Sequence, residues 1–233
     1  MSNKTINYGY ILSYVFLVLL LSWLLKSKVQ VHFFKDTFLQ NSDYLIAGFS
    51  TLIAGTTGIF LHKGLSKKIT ILGKDAQKNM LIVGLPVVAF SIVGLNNNFG
   101  VNKWVYGFAY ALLNTVYAFT EEFGWRKYLQ NALEGFNENI KYILIGIIWW
   151  IWHFRFDSHF DLFIFPLICV GGGFLLGKLA DESKSILPVI AMHTLIILTT
   201  NSGNFGKTEI IGIGIVIIGW VIIEQIWLSL IHI

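Results

Sequence analysis

The chain has 233 residues, of which 55% are hydrophobic and 13% charged, with a formal net charge of +4. A soluble domain usually carries about a quarter charged residues, so this composition leaves too little polar surface for a water-soluble globule and excludes disorder, coiled coil and collagen. Cys169 is the single cysteine, so no disulfide holds the chain to itself. The lysines punctuate apolar runs and do not gather on one face, which leaves no footprint for nucleic acid.

An all-α, polytopic membrane bundle follows. A crossing helix needs about 20 apolar residues, and runs of that kind fall at 8–25, 44–61, 80–95, 104–120, 140–153, 160–179, 186–200 and 210–231. They predict about eight transmembrane helices in a single domain over residues 1–233. The first run reads as a retained span, because Lys26 and Lys28 follow it directly and no small-x-small cleavage site precedes them. The run 104–120 continues into EEFGWRKYLQNAL with no breaker except Gly124, so that helix is expected to pass Thr120. The run 140–153 is short and is expected to extend through Phe156. Lys and Arg number eleven on the side that holds both termini and the loops 62–79, 121–141 and 178–185, against six on the other. With Arg126 set aside as a bundle residue, ten still face six. The bias predicts cytoplasmic termini. The basic loop 62–79 either fixes topology or touches anionic lipid headgroups.

Ionisable side chains at membrane depth are costly and usually mark a site or a pairing. In Glu121-Glu122-Phe-Gly-Trp-Arg126, Glu122 and Arg126 are four apart on one helical face, acid before base. That spacing predicts an intrahelical ion pair and leaves Glu121 to point into a cavity as a general base. Asn114 lies seven residues earlier, on roughly the face of Glu121. The competing reading is a helix end that lifts its charges into interfacial water. His153 closes the run Trp149-Trp150-Ile-Trp152, and His193 lies seven residues past Ile186, about 10 Å along a helix. Taken singly, a histidine on an apolar helix is more often a packing residue than a catalyst. Gly171, Gly172, Gly173 and Gly177 form a small-residue face suited to close helix packing. Glu224 has no basic residue within a turn, so a core hydrogen bond or a protein contact is its default.

In their joint order these clusters resemble the CAAX-protease and bacteriocin-processing (CPBP) family of intramembrane endopeptidases. The likeness covers residues 120–200. It rests on EEFGWR, on IIWWIWHFRF with Trp149 where the family's second motif has Phe, and on the approach ILPVIAMH to His193. The resemblance implies hydrolysis of a peptide bond in a membrane-associated peptide or protein within a bacterial cytoplasmic membrane. Glu121 and His153 would activate water, His193 would polarise the scissile carbonyl, and Glu122 and Arg126 would orient Glu121. All three catalytic groups are expected to share a cavity open to the cytoplasm. No cofactor is expected; zinc held by Glu121, His153 and His193 is the alternative. The family has Asn or a similar polar residue four after its last His, where this chain has Ile197. Asn201, Thr200 or Asn114 then has to substitute, or the oxyanion loses a donor. A non-catalytic immunity or scaffold protein is therefore the second reading. A channel, which needs polar groups along several spans, is the third.

Overall fold

The computed structural model describes residues 6–27, 44–200 and 206–231. Eight α-helices run through these residues: α1 (Tyr8–Ser27), α2 (Leu45–Leu61), α3 (Ala76–Val93), α4 (Lys103–Glu122), α5 (Glu138–Trp152), α6 (Phe165–Ser183), α7 (Leu187–Thr200) and α8 (Lys207–Ile231). Short π-helical stretches extend α4 (Phe123–Gln130) and precede α6 (Phe160–Ile164). Segments of α1, α3, α6 and α8 are long and apolar enough to cross a membrane. Leu12, Phe16, Phe163, Leu167, Ile218 and Leu230 are exposed along these helices. Such side chains have no stable place against water and face lipid, so the protein is an integral membrane bundle of helices.

Each expected run coincides with one helix. The helix through Thr120 does continue, because nothing in EEFGWRKYLQ breaks it. Gly124 is a contact point: a Cβ there would come within 2.6 Å of the Thr51 carbonyl, and Gly55 faces it across the α2 crossing. The expected extension of α5 through Phe156 is not found. Asn137 caps its start, its side-chain oxygen accepting from Asn139 N and Ile140 N. Phe154, at φ +50°, turns the chain off after His153. The helix therefore gains its length at the N-terminal end.

Packing centres on α4 and its π-helical extension, which touch α2, α3, α5, α6 and α7. The larger core draws Val18, Ala54, Trp125, Leu129, Ile145, Trp152, Leu176 and Ile190 from six helices. A smaller one joins α3, α4, α7 and α8 around Phe90, Tyr110 and Leu198. The small-residue face expected on α6 packs against α5: a Cβ on Gly173 would strike the Tyr142 carbonyl at 2.8 Å, and one on Gly177 would strike the Tyr142 ring.

The loop after α2 is a strap across one end of the bundle. Asn131 holds Ile69 as a strand neighbour would, accepting from its N–H at 3.0 Å and donating to its carbonyl at 2.8 Å. Thr70 pairs its backbone with Lys184 and Ile186. Lys68 reaches Asp181 at 3.2 Å; burial disfavours the Lys68 ammonium, but Asp181 and Glu134 outweigh it and hold the charge above its ordinary pKa. Lys141, counted above as a loop charge, is buried within α5 and pairs with Asp181 at 2.7 Å. Glu224 pairs with Lys78 of α3 at 3.0 Å, a partner 146 residues away.

Candidate active site

Glu121 and Glu122 end α4 where the helix widens into its π-helical stretch, a rare geometry often found at functional positions. Both carboxylates are buried and point to different neighbours, as residues about 100° apart on a helix must. Glu122 is fully engaged. Its Oε2 accepts from Arg126 Nε at 2.9 Å, and its Oε1 is 2.8 Å from His193 Nδ1. Arg126, also fully buried, donates through Nη1 to the Gly173 carbonyl at 3.3 Å. One turn further, Gln130 donates to the Gly177 carbonyl at 2.8 Å. The glycine face of α6 thus offers bare backbone to two polar side chains of the same helix face.

Glu121 takes its hydrogen bonds from indoles. Trp149 Nε1 donates to Oε2 at 2.8 Å and Trp125 Nε1 to the same atom at 3.4 Å, with Tyr117 close by. Trp149 is the hub of the arrangement. Its ring lies 5.7 Å from the His153 ring and 5.3 Å, edge-on, from the His193 ring. His153 Nδ1 is 2.7 Å from the Trp149 carbonyl. A carbonyl oxygen only accepts, so this nitrogen carries the proton and Nε2 is left with a lone pair. His193 is likewise held through Nδ1, by Glu122. Both imidazoles therefore keep Nε2 free of these bonds.

Glu121, Glu122, Trp149 and His193 form one contiguous polar cluster, with His153 attached through Trp149. Ile197, one turn past His193, lies in the larger core and supplies no donor. Thr200 is exposed and spends its hydroxyl on the Ile196 carbonyl at 2.8 Å. Asn114 donates to the Tyr110 carbonyl and accepts from the Tyr44 hydroxyl, two turns from Glu121. Asn201 lies outside the described residues. Among the described residues no three His, Cys, Asp or Glu side chains gather closely enough to hold a metal ion. Glu121, His153 and His193 as placed do not make a zinc ligand set.

Residues 102–199 match the family model described as type II CAAX prenyl endopeptidase Rce1-like. This segment is Rce1-like. The match is consistent with a CPBP family member, the resemblance drawn above from the motifs. It begins at the N-cap of α4 and ends on α7, so it takes in all the groups just described except Tyr44, Thr200 and Asn201. A comparison with curated proteins finds no match for the chain.

Four partners had no clear signal in the sequence. The Trp149 indole as donor to Glu121 depends on how α5 crosses α4. The carbonyls of Gly173 and Gly177 as acceptors depend on the α6 approach. Lys26 of α1, which reaches the end of α5, could not have been assigned from the motifs at all.

Proposed function

We propose that this protein is an intramembrane endopeptidase that hydrolyses a peptide bond of a membrane-associated peptide or protein with a water activated by Glu121 and His153. The observation that carries the reading is the Trp149 hub, which ties Glu121 by its indole N–H and flanks both imidazoles. The Rce1-like match over residues 102–199 supports a peptidase of the CAAX-processing kind. In this reading Glu121 takes a proton from water while His153 Nε2 orients it. The hydroxide adds to the scissile carbonyl carbon, and charge gathers on the carbonyl oxygen. His193 donates to that oxygen from Nε2, while Glu122 holds the opposite nitrogen. Glu121 then returns its proton to the amine nitrogen as the C–N bond breaks. Glu122 and Arg126 position these groups and take no part in bond changes.

The same reading sets both termini in the cytoplasm of a bacterial cell. Lys141 and Arg126 are buried in pairs and drop out of the charge balance, which still favours that side by nine to six.

The second reading, a non-catalytic immunity or scaffold protein, draws on Ile197, where the hydrogen-bonding residue of the family motif is missing. One experiment separates the two. The protein purified in detergent is incubated with internally quenched probes: a farnesylated peptide ending in a CAAX sequence and an unprenylated hydrophobic peptide. Cleavage by wild type, lost in both Glu121→Ala and His153→Ala, is the expected result. Cleavage that survives either change refutes the site. No cleavage of any probe, with Glu121→Ala folded normally, favours the scaffold. A chelator arm tests the zinc alternative.

A further inference from the structure

We infer that Ser22 and Lys26 of α1 form a clamp that positions His153, an assignment that rests on the catalytic reading of that histidine. An α-helix ends with carbonyls that have no intrahelical donor, and their partial negative charge favours a cation. In α5 these include the carbonyls of Trp152 and His153. The chain does not satisfy them itself: the N–H groups of His153 and Phe154 return to Trp150 and Ile151, and Phe154, at φ +50°, then leads the backbone out of the helix. Helix α1 supplies the missing donors. Ser22 Oγ donates to the Trp152 carbonyl at 3.0 Å. Lys26 Nζ donates to the Trp152 and His153 carbonyls, each at 3.0 Å, and sits 4.2 Å from the centre of the Trp152 ring. Ser22 and Lys26 are one turn apart, so both face α5 together.

The consequence reaches the imidazole. A left-handed conformation is unfavourable for a phenylalanine and persists only where its surroundings hold it. The clamp fixes the two carbonyls on either side of the His153 Cα. The ring then stands with Nδ1 on the Trp149 carbonyl, edge-on to Trp152 and Phe165 at 5.0 and 4.8 Å. Without the ammonium, the last turn of α5 unwinds and Nδ1 loses its acceptor. Lys26 lies outside the Rce1-like segment, so the catalytic core borrows this positioning residue from the first helix.

The test compares wild type with Lys26→Met, Lys26→Arg and Ser22→Ala, all purified in detergent. In the farnesylated-peptide assay, Lys26→Met lowers kcat about 10- to 100-fold with KM unchanged, the range of a charge-assisted hydrogen bond. Lys26→Arg restores most of kcat, and Ser22→Ala costs only a few-fold. An independent reading comes from ¹⁵N-histidine spectra, with His153 assigned through His153→Gln. Wild type and Lys26→Arg show the Nδ1–H tautomer, and Lys26→Met shows a mixture. An unchanged pure Nδ1–H tautomer in Lys26→Met, or a wild-type kcat, overturns the clamp. A silent wild type whose His153 tautomer still depends on Lys26 refutes the hydrolase reading and leaves the clamp standing.

Discussion

Arg126→Met should destabilise the bundle more than its double variant with Glu122→Gln. In the native protein the guanidinium is fully buried, 2.9 Å from Glu122 and 3.3 Å from the Gly173 carbonyl. Removing it strands the Glu122 carboxylate beside Glu121, with His193 as its remaining partner among the described residues. Breaking a buried pair from one side costs about 3–5 kcal/mol, because the other charge stays buried. For a chain of this size that corresponds to a fall of roughly 6–20 °C in Tm. Adding Glu122→Gln removes the stranded charge, so the double variant should recover part of the loss. The assay is thermal unfolding in detergent followed by tryptophan fluorescence, with Trp125 and Trp149 beside the perturbed carboxylates. A single variant with unchanged Tm, or a double variant whose loss equals the sum of both singles, refutes the buried-pair argument.

Trp149→Phe keeps the aromatic packing on both imidazoles and deletes the N–H on Glu121, so kcat in the peptide assay should fall about 10- to 100-fold, the range of a charge-assisted hydrogen bond; a wild-type kcat would show that Glu121 needs no indole. Gly177→Ala drives a methyl into the Tyr142 ring, whose hydroxyl is fixed on Asp181 at 2.6 Å. It should cost about 1–3 kcal/mol by overpacking, whereas Gly171→Ala, with open space around it, should leave Tm unchanged or raised. His62 follows α2, its ring tilted 30° to that of Tyr10 with the centres 4.5 Å apart, and burial lowers its pKa below the ordinary value of about 6.5. The unfolded chain therefore takes up this proton first as pH falls, so stability should drop below about pH 6.5 and level off above it. His62→Gln should shrink that dependence in Tm measured from pH 5 to 7.5.

The eight helices were legible because a bilayer demands long apolar runs, and each run is local information. The Glu122–Arg126 contact was legible for the same reason, being set by spacing along one helix. What stayed hidden depends on partners far along the chain. Lys141 looked like a loop charge because its counter-ion, Asp181, is 40 residues away on α6. Glu224 looked unpartnered because Lys78 lies on α3. The end of α5 was misjudged because Phe156 continues the apolar run, while the conformation of Phe154, which no composition rule flags, stops the helix. The basic loop 62–79 offered only its charges, and its role as a strap rests on the backbone of Ile69 and Thr70.

The glycines of α6 explain how a buried arginine is tolerated here. A side chain at Gly173 or Gly177 would hold α5 away, and it would also screen the carbonyls that now accept from Arg126 and Gln130. Close approach and polar satisfaction thus come from the same missing atoms. The fully buried Arg126 charge is then met by a carboxylate and by a backbone dipole instead of by water. Glu122, held on that side, keeps its other oxygen for His193. The positioning of the last imidazole therefore depends on helix packing three contacts away: from Gly173 to Arg126, from Arg126 to Glu122, and from Glu122 to His193.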